Sequence, residues 1–263
     1  MERGSLVVVG TGLAIAGQVT QEALSHMENA GILLYLVTDI ATKQWLEGLN
    51  PRNESLYTSY AVGRAREESY AEMSERILGH VRAGRRTVAA FYGHPGVFVA
   101  PSHRAIEQAR REGFSARMLP GISAEDCLFA DVGFDPGERG CQSFEATDFL
   151  LRRRIFDPTT ALVLWQVGVI GVRDYRSDDL WGPRGLAVLR RRLLETYPED
   201  HEVVVYEAAQ YPVCPPLVAR VPLAGLVAAP VSVRSTLYVP PLPDRETDAT
   251  ILGQLLADET AGS

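Results

Sequence analysis

Tyr57, Tyr60, Arg66 and Tyr70 stand in one short stretch and carry side chains suited to moving a proton. A phenol loses its proton at a pKa of about 10 when unperturbed. An adjacent guanidinium, always charged, favours the phenolate and brings it within reach of neutral pH. A second phenol can stabilise negative charge that develops on a nearby oxygen. Spacing sets a condition on this chemistry. In one unbroken helix of about 3.6 residues per turn, Tyr57 and Arg66 point to opposite sides, whereas Arg66 and Tyr70 share a face. Convergence requires a break, and Gly63 is where the sequence permits one. Without convergence, the same residues are the exposed side of an amphipathic helix.

A second stretch could hold a ligand. The strand-like run Thr87-Val88-Ala89-Ala90 breaks at once into Phe91-Tyr92-Gly93-His94-Pro95-Gly96-Val97-Phe98. Pro95 fixes φ and the glycines admit unusual backbone angles, so the chain turns sharply with bare backbone exposed. In an α/β protein, ligands bind at the carboxyl ends of strands. A tight structural turn is the alternative reading. Two further loops have the same character. Leu6-Val7-Val8-Val9 ends in Gly10-Thr11-Gly12-Leu13, and Ala116 to Leu119 leads into Pro120-Gly121-Ile122-Ser123-Ala124, where Ser123 is placed to cap a helix over Ala124 to Ala130. The glycine after Gly12 is Gly17, so the G-x-G-x-x-G fingerprint of nicotinamide sites is not met.

The elements that must position these residues follow from hydrophobic period. Short continuous apolar runs at Leu6–Val9, Ile32–Val37 and Thr87–Ala90 predict strands buried on both faces. Helical spacing is expected over Thr20–Ala30, within Ser55–Gly84 through Met73, Ile77, Leu78 and Val81, and over Pro101–Glu112. This alternation predicts a largely parallel sheet. The turn-rich Gly133-Phe134-Asp135-Pro136-Gly137 divides the chain into α/β domains of residues 1–135 and 136–263. In the second, strands are expected at Ala161–Val167, Glu202–Tyr206 and Ser235–Pro241, with helices at Leu186–Tyr197 and Ile251–Leu256.

With 263 residues and 46% apolar content the chain can bury a substantial core. A net charge of −7 leaves no global basic field, so nucleic acid is not expected as a partner. The runs Arg152-Arg153-Arg154 and Arg190-Arg191-Arg192 read as solvated faces. Cys127, Cys141 and Cys214 are odd in number and widely spaced, which argues against a disulfide framework and fits a reducing cytoplasm. The five histidines form no metal-ligand pattern, so no metal is expected. There is neither a signal-peptide architecture nor an apolar run long enough to span a membrane, so a soluble cytoplasmic protein is expected.

Together, the loops Gly10-Thr11-Gly12-Leu13, Tyr92-Gly93-His94-Pro95-Gly96-Val97-Phe98 and Leu119-Pro120-Gly121-Ile122-Ser123-Ala124-Glu125-Asp126 resemble those of the tetrapyrrole methylase superfamily, in order and spacing over nearly the whole chain. That resemblance implies two α/β domains with S-adenosylmethionine held between them and S-adenosylhomocysteine as product. Most of the superfamily has an acid where this chain has His94, a departure that counts against a corrin or porphyrin substrate. A closer resemblance rests on Leu56-Tyr57-Thr58-Ser59-Tyr60, Arg66, Tyr70-Ala71-Glu72-Met73-Ser74-Glu75 and Ser123 to Asp131. These are similar to the borosin peptide-backbone α-N-methyltransferases. The chain's last residues, Leu256 to Ser263, include no apolar core-peptide tail, so the likeness is to the split bacterial form, which iteratively methylates a separate precursor peptide.

The resemblance assigns Gly10, Tyr92, His94, Val97, Phe98, Ser123 and Ala124 to the cofactor cleft, closed from the second domain by Gln166, Tyr206, Ala208, Ser235 and Thr236. Satisfaction within the core is the alternative for Gln166 and Tyr206. It makes Tyr57, Tyr60, Arg66 and Tyr70 catalytic: Tyr60 as base tuned by Arg66, Tyr70 holding the substrate carbonyl and Tyr57 orienting, with the first two roles exchangeable. It also implies a homodimer, with residues 55–84 near the partner. A methyltransferase for a tetrapyrrole or other small molecule, and a non-catalytic peptide-binding module, are the competing expectations.

Overall fold

A computed structural model describes residues 4–172, 183–211 and 213–257. The first half alternates strand and helix: β1 (Ser5–Gly10), α1 (Gln21–Glu28), β2 (Ile32–Leu36), α2 (Ile40–Leu49), β3 (Asn53–Ser55), α3 (Arg66–Arg82), β4 (Arg86–Phe91), α4 (Ala100–Arg111), β5 (Ser115–Met118) and α5 (Ala124–Val132). The strands form one parallel sheet in the order β3-β2-β4-β1-β5.

Every residue of β2 is buried, because helices cover both faces. Leu34 and Leu36 pack with Met73, Ile77 and Val81 of α3 and Ile106 of α4. Leu33 and Tyr35 point the other way, against Met27 of α1 and Leu46 of α2. Two-sided burial explains why these strands read as unbroken apolar runs. Helix α2 lies outside the helices expected from the apolar period. Asp39 starts it by accepting a hydrogen bond from the Thr42 N–H at 2.7 Å.

The second half contains α6 (Pro136–Arg139), β6 (Cys141–Glu145), α7 (Ala146–Leu151), β7 (Ala161–Trp165), α8 (Pro183–Leu194), β8 (Glu202–Glu207), β9 (Leu217–Pro222), β10 (Thr236–Val239) and α9 (Ala249–Ala257). Its sheet runs β6-β7-β10-β8-β9, with only the β6/β7 pair parallel. One face packs against Phe149 of α7 and Leu186, Leu189 and Leu193 of α8. The other face receives Leu128 of α5, which packs with Trp165, Tyr206 and Tyr238. A helix that precedes the turn-rich break at Gly133–Gly137 thus covers the sheet that follows it. Strand β7 ends at Trp165, short of the expected Val167, because Gln166 takes a left-handed φ of 60° and diverts the chain. No described helix is long and apolar enough to cross a membrane.

Candidate active site

The three glycine loops meet at the carboxyl ends of β1, β4 and β5. Gly12 and Gly93, at φ of 68° and 67°, exchange backbone hydrogen bonds of 3.3 and 2.8 Å. A Cβ on Gly10 would stand 2.3 Å from the Gly93 carbonyl oxygen and 2.8 Å from Pro95 Cδ. Only glycine permits that approach. Gly10 is buried, so it fixes the loops and presents no side-chain surface to a ligand.

Beyond this junction the chain presents Tyr92, Val97 and Phe98, each between 42% and 49% exposed. Phe98 adopts φ 56°, and its ring meets Trp165 edge-on with centroids 6.2 Å apart. Phe98 and Gln166, the first in ring contact with Trp165 and the second next to it in the chain, are both left-handed non-glycine residues. Each such conformation costs about 1–2 kcal/mol and is typical of places where a ligand is clamped.

His94 acts within its own loop. Its Nδ1 accepts the Gly96 N–H at 3.0 Å, while His103 Nε2 meets the Gly96 carbonyl at 2.9 Å. The imidazole thus uses its Nδ1 acceptor to fasten the turn itself.

Ser123 is turned toward its own helix. Its N–H and hydroxyl both donate to the Asp126 carboxylate, at 2.6 and 2.7 Å, and its oxygen accepts from Glu125 and Asp126. Ser123 therefore caps the helix as its place in the sequence implied, and its hydroxyl is engaged in a capping box. The neighbouring Ala124 N–H has no hydrogen-bond partner among the described residues.

On the opposite wall the expected residues separate into two groups. Tyr206 is 1% exposed, and its hydroxyl donates to Asp131 at 2.7 Å, so the core-satisfied alternative describes its side chain. Ser235 and Thr236 are likewise buried, and the Ser235 hydroxyl donates to Glu207. Gln166 and Ala208 are half-buried, and the Gln166 carboxamide makes no hydrogen bond among the described residues.

The tyrosines converge as the break at Gly63 allows. Ser55 caps a single 3-10 turn, Leu56–Ser59, whose Leu56 is fully buried in the core. The chain then passes through Gly63 at φ 77° before α3 begins at Arg66. Tyr57 and Tyr60 meet edge to face at 5.6 Å, and Tyr60 and Tyr70 at 6.5 Å. The phenols of Tyr70 and Tyr92 and the Arg66 guanidinium all act on the Tyr60 phenol. The cluster is therefore electrostatically continuous with the glycine loop at Tyr92.

Its electrostatics differ from the expectation that Arg66 makes Tyr60 a ready base. Desolvation, then the Tyr70 and Tyr92 phenols, push Tyr60 far above the ordinary phenol range, and Arg66 opposes them only weakly. Tyr60 stays protonated. Tyr92 is also raised by desolvation within the cleft and by Tyr70, with Arg66 pulling it down. Arg66 is half-buried at the first position of α3, where the helix dipole disfavours a cation. It has no carboxylate partner among the described residues, whereas nearby Arg64 pairs with Glu72 at 2.6 Å and Glu68 at 3.5 Å.

One depression at the site escaped the sequence reading. It is lined by Thr11, Leu13, Asp39, Tyr92 and, from the second half, Gln210. The Gln210 carbonyl accepts the Ile15 N–H at 3.2 Å, tying the first glycine loop to the segment after β8. Thr38-Asp39 at the carboxyl end of β2 was the available signal.

Residues 5–213 match the family model of the Tetrapyrrole (Corrin/Porphyrin) Methylases, and the chain belongs to that family. Its fold is similar to that of uroporphyrin-III-C-methyltransferase from Thermus thermophilus, with a TM-score of 0.64 and 19% identity over 93% of this chain and 99% of that one. A cobalt precorrin-4 methyltransferase gives a TM-score of 0.63 at 16% identity, over 90% of this chain and 94% of that one. At such identities the likeness is one of fold.

Nearer in sequence is the methyltransferase/ribosomally synthesized cyclic peptide gymnopeptides precursor of Gymnopus fusipes, 44% identical over 97% of this chain and 61% of that protein. The corresponding omphalotin A precursor of Omphalotus olearius is 43% identical over 96% of this chain and 61% of that protein. The chain thus spans about three fifths of the length of these relatives. Their names join methyltransferase and precursor, so they lend no support to the split bacterial form expected from the sequence.

Proposed function

We propose that the chain is an S-adenosylmethionine-dependent methyltransferase that N-methylates backbone amides of a ribosomally made precursor peptide, several in turn. The observation that carries this reading is the Tyr57/Tyr60/Tyr70 cluster beside Arg66, a half-buried cation with no carboxylate partner among the described residues, opening toward Tyr92 of the glycine-loop cleft. The cleft fits the cofactor that the family implies. It offers half-exposed Tyr92, Val97 and Phe98 to a nucleoside, with the unbonded Gln166 carboxamide and Ala124 N–H as polar contacts. When bound, that cofactor supplies an electrophilic methyl group.

The chain's own residues must make an amide nitrogen reactive. Its lone pair is delocalised into the carbonyl, so the carbonyl must be polarised or the N–H proton removed. Tyr60, held protonated, donates a hydrogen bond to the substrate carbonyl oxygen and stabilises its oxyanion character. Tyr70, one turn after Arg66 on the same face of α3, serves as phenolate: it takes the amide proton and becomes the neutral phenol as the nitrogen gains the methyl group. This exchanges the roles first expected of the two phenols. Arg66 offsets the negative charge of the Tyr70 phenolate, and Tyr57 packs against Tyr60 to orient it.

Delivery of the peptide as a separate chain, and a homodimer enclosing it with the 55–84 segment at the partner, are finer parts of the proposal. Exposed Tyr57 and Val62 support the placement of the partner. The test supplies adenosylmethionine with an apolar precursor peptide, either free or fused to the carboxyl terminus, and reads product mass. Increments of one methylene placed on backbone nitrogens by fragmentation are expected. Absence of increments with both forms of peptide overturns the reading.

A further inference from the structure

The stretch that carries Tyr57 and Tyr60 has little core of its own. Among residues 55–64 only Leu56 and Ser59 are buried, and past Ser55, which pairs with Tyr35 at the end of β3, the segment's regular structure is a single 3-10 turn. A seam on α3 holds it. Glu72, Arg76 and His80 recur at four-residue spacing, on one face of the helix. Glu72 and Arg76 reach across to the tyrosine stretch, and His80 reaches Glu54 just before it.

Arg76 makes the densest set of contacts. Its Nε and Nη2 donate to Glu54 Oε1 at 2.9 and 2.6 Å, and Nη2 also donates to the Ser55 carbonyl at 2.8 Å. Its Nη1 donates to the hydroxyls of Thr58 and Ser59, both at 2.9 Å. All three guanidinium nitrogens are engaged, by residues on both sides of the turn. His80 Nε2 holds the second Glu54 oxygen at 2.9 Å, and Glu72 binds Arg64, which donates to the Ser59 carbonyl at 3.2 Å.

We propose that Arg76 is a positioning residue: by clamping Glu54, Ser55, Thr58 and Ser59 to α3, it fixes the turn that aims Tyr60 at Tyr70. The inference rests on the methyltransferase reading, because the hydrogen bonds of Arg76 go to the strand end and turn that carry Tyr60 and act through them. A rigid planar fork suits a four-partner clamp better than the single point charge of lysine. Misplacement of a reacting group by about 1 Å can cost about 10²-fold in rate, so loosening the turn affects turnover more than binding.

The experiment compares Arg76→Gln, Arg76→Lys, Ser59→Ala and Arg82→Gln in the full chain. Arg82 serves as control: it sits on the same helix and binds Glu75 and Glu112, away from the tyrosine stretch. Three quantities are read: kcat and KM for the precursor peptide, cofactor affinity by calorimetry, and amide hydrogen exchange. For R76Q, kcat should fall at least about 10-fold with KM and cofactor affinity retained. Exchange should quicken at residues 55–60 and stay slow in β4. R76K should recover part of the loss, S59A should show a smaller loss of the same kind, and R82Q none. An unchanged kcat in R76Q and S59A, or an equal loss in R82Q, overturns the proposal. If the wild-type chain itself fails to methylate, the functional reading falls, and the exchange data still decide whether Arg76 holds the turn.

Discussion

Tyr60 and Tyr70 meet edge to face at 6.5 Å from either side of the bend at Gly63, and the Tyr70 phenol helps to push that of Tyr60 up. Deprotonating one therefore makes the other hold its proton harder. Tyr70→Phe and Tyr60→Phe should each lower single-turnover methylation by about 10²-fold or more, with cofactor affinity retained. Product mass under saturating peptide checks this. Loss in only one variant would assign both roles to that residue.

Arg66 separates function from stability. Replacing it by Gln removes a cation from a helix start where the dipole opposes it, and breaks no ion pair among the described residues. Stability should stay level or rise by about 0.3–1 kcal/mol, while methylation falls. Urea midpoints measured beside rates test the pair of outcomes. A large loss of stability would make Arg66 a structural residue.

Gln166 makes the same separation on the facing wall. Gln166→Gly relieves a left-handed φ of 60° and should add about 1 kcal/mol of stability, yet weaken cofactor binding measured by calorimetry. Unchanged affinity would remove Gln166 from the cleft.

Tyr35 governs part of the alkaline limit. Burial, then its hydrogen bond of 2.8 Å to Glu47, pushes its phenol up to about 12, against an ordinary value of 10. Above pH 10 the unfolded chain releases this proton while the folded chain keeps it, so stability is full below that pH and declines as the pH rises toward 12. Tyr35→Phe should flatten that decline without abolishing it, because Tyr60 and Tyr206 shift in the same direction. Denaturant midpoints on either side of pH 10 measure the slope.

The three central strands of the first sheet were legible because they are covered on both faces, which makes Leu6–Val9 and Ile32–Val37 unbroken apolar runs, whereas its edge strands β3 and β5 were not. The Gly63 break was legible from helical geometry alone. Strands β6 and β9 were not, since an edge strand such as Cys141-Gln142-Ser143-Phe144-Glu145 carries no such run. At the site, residue types could be read but environments could not. Tyr206 finds its acceptor in Asp131 on a different element, and Tyr60 is raised by burial and by Tyr92, neither of which spacing reveals. The seam of Glu72, Arg76 and His80 looked like an ordinary polar helix face.

Helix α5 begins beside Gly121, which touches the Gly10 and Pro95 junction, yet its Leu128 is seated under Trp165 and Tyr206. By packing, the helix thus belongs to the sheet that follows it, and Ser123 and Ala124 at its start are held to the same framework as Trp165 and the neighbouring Gln166.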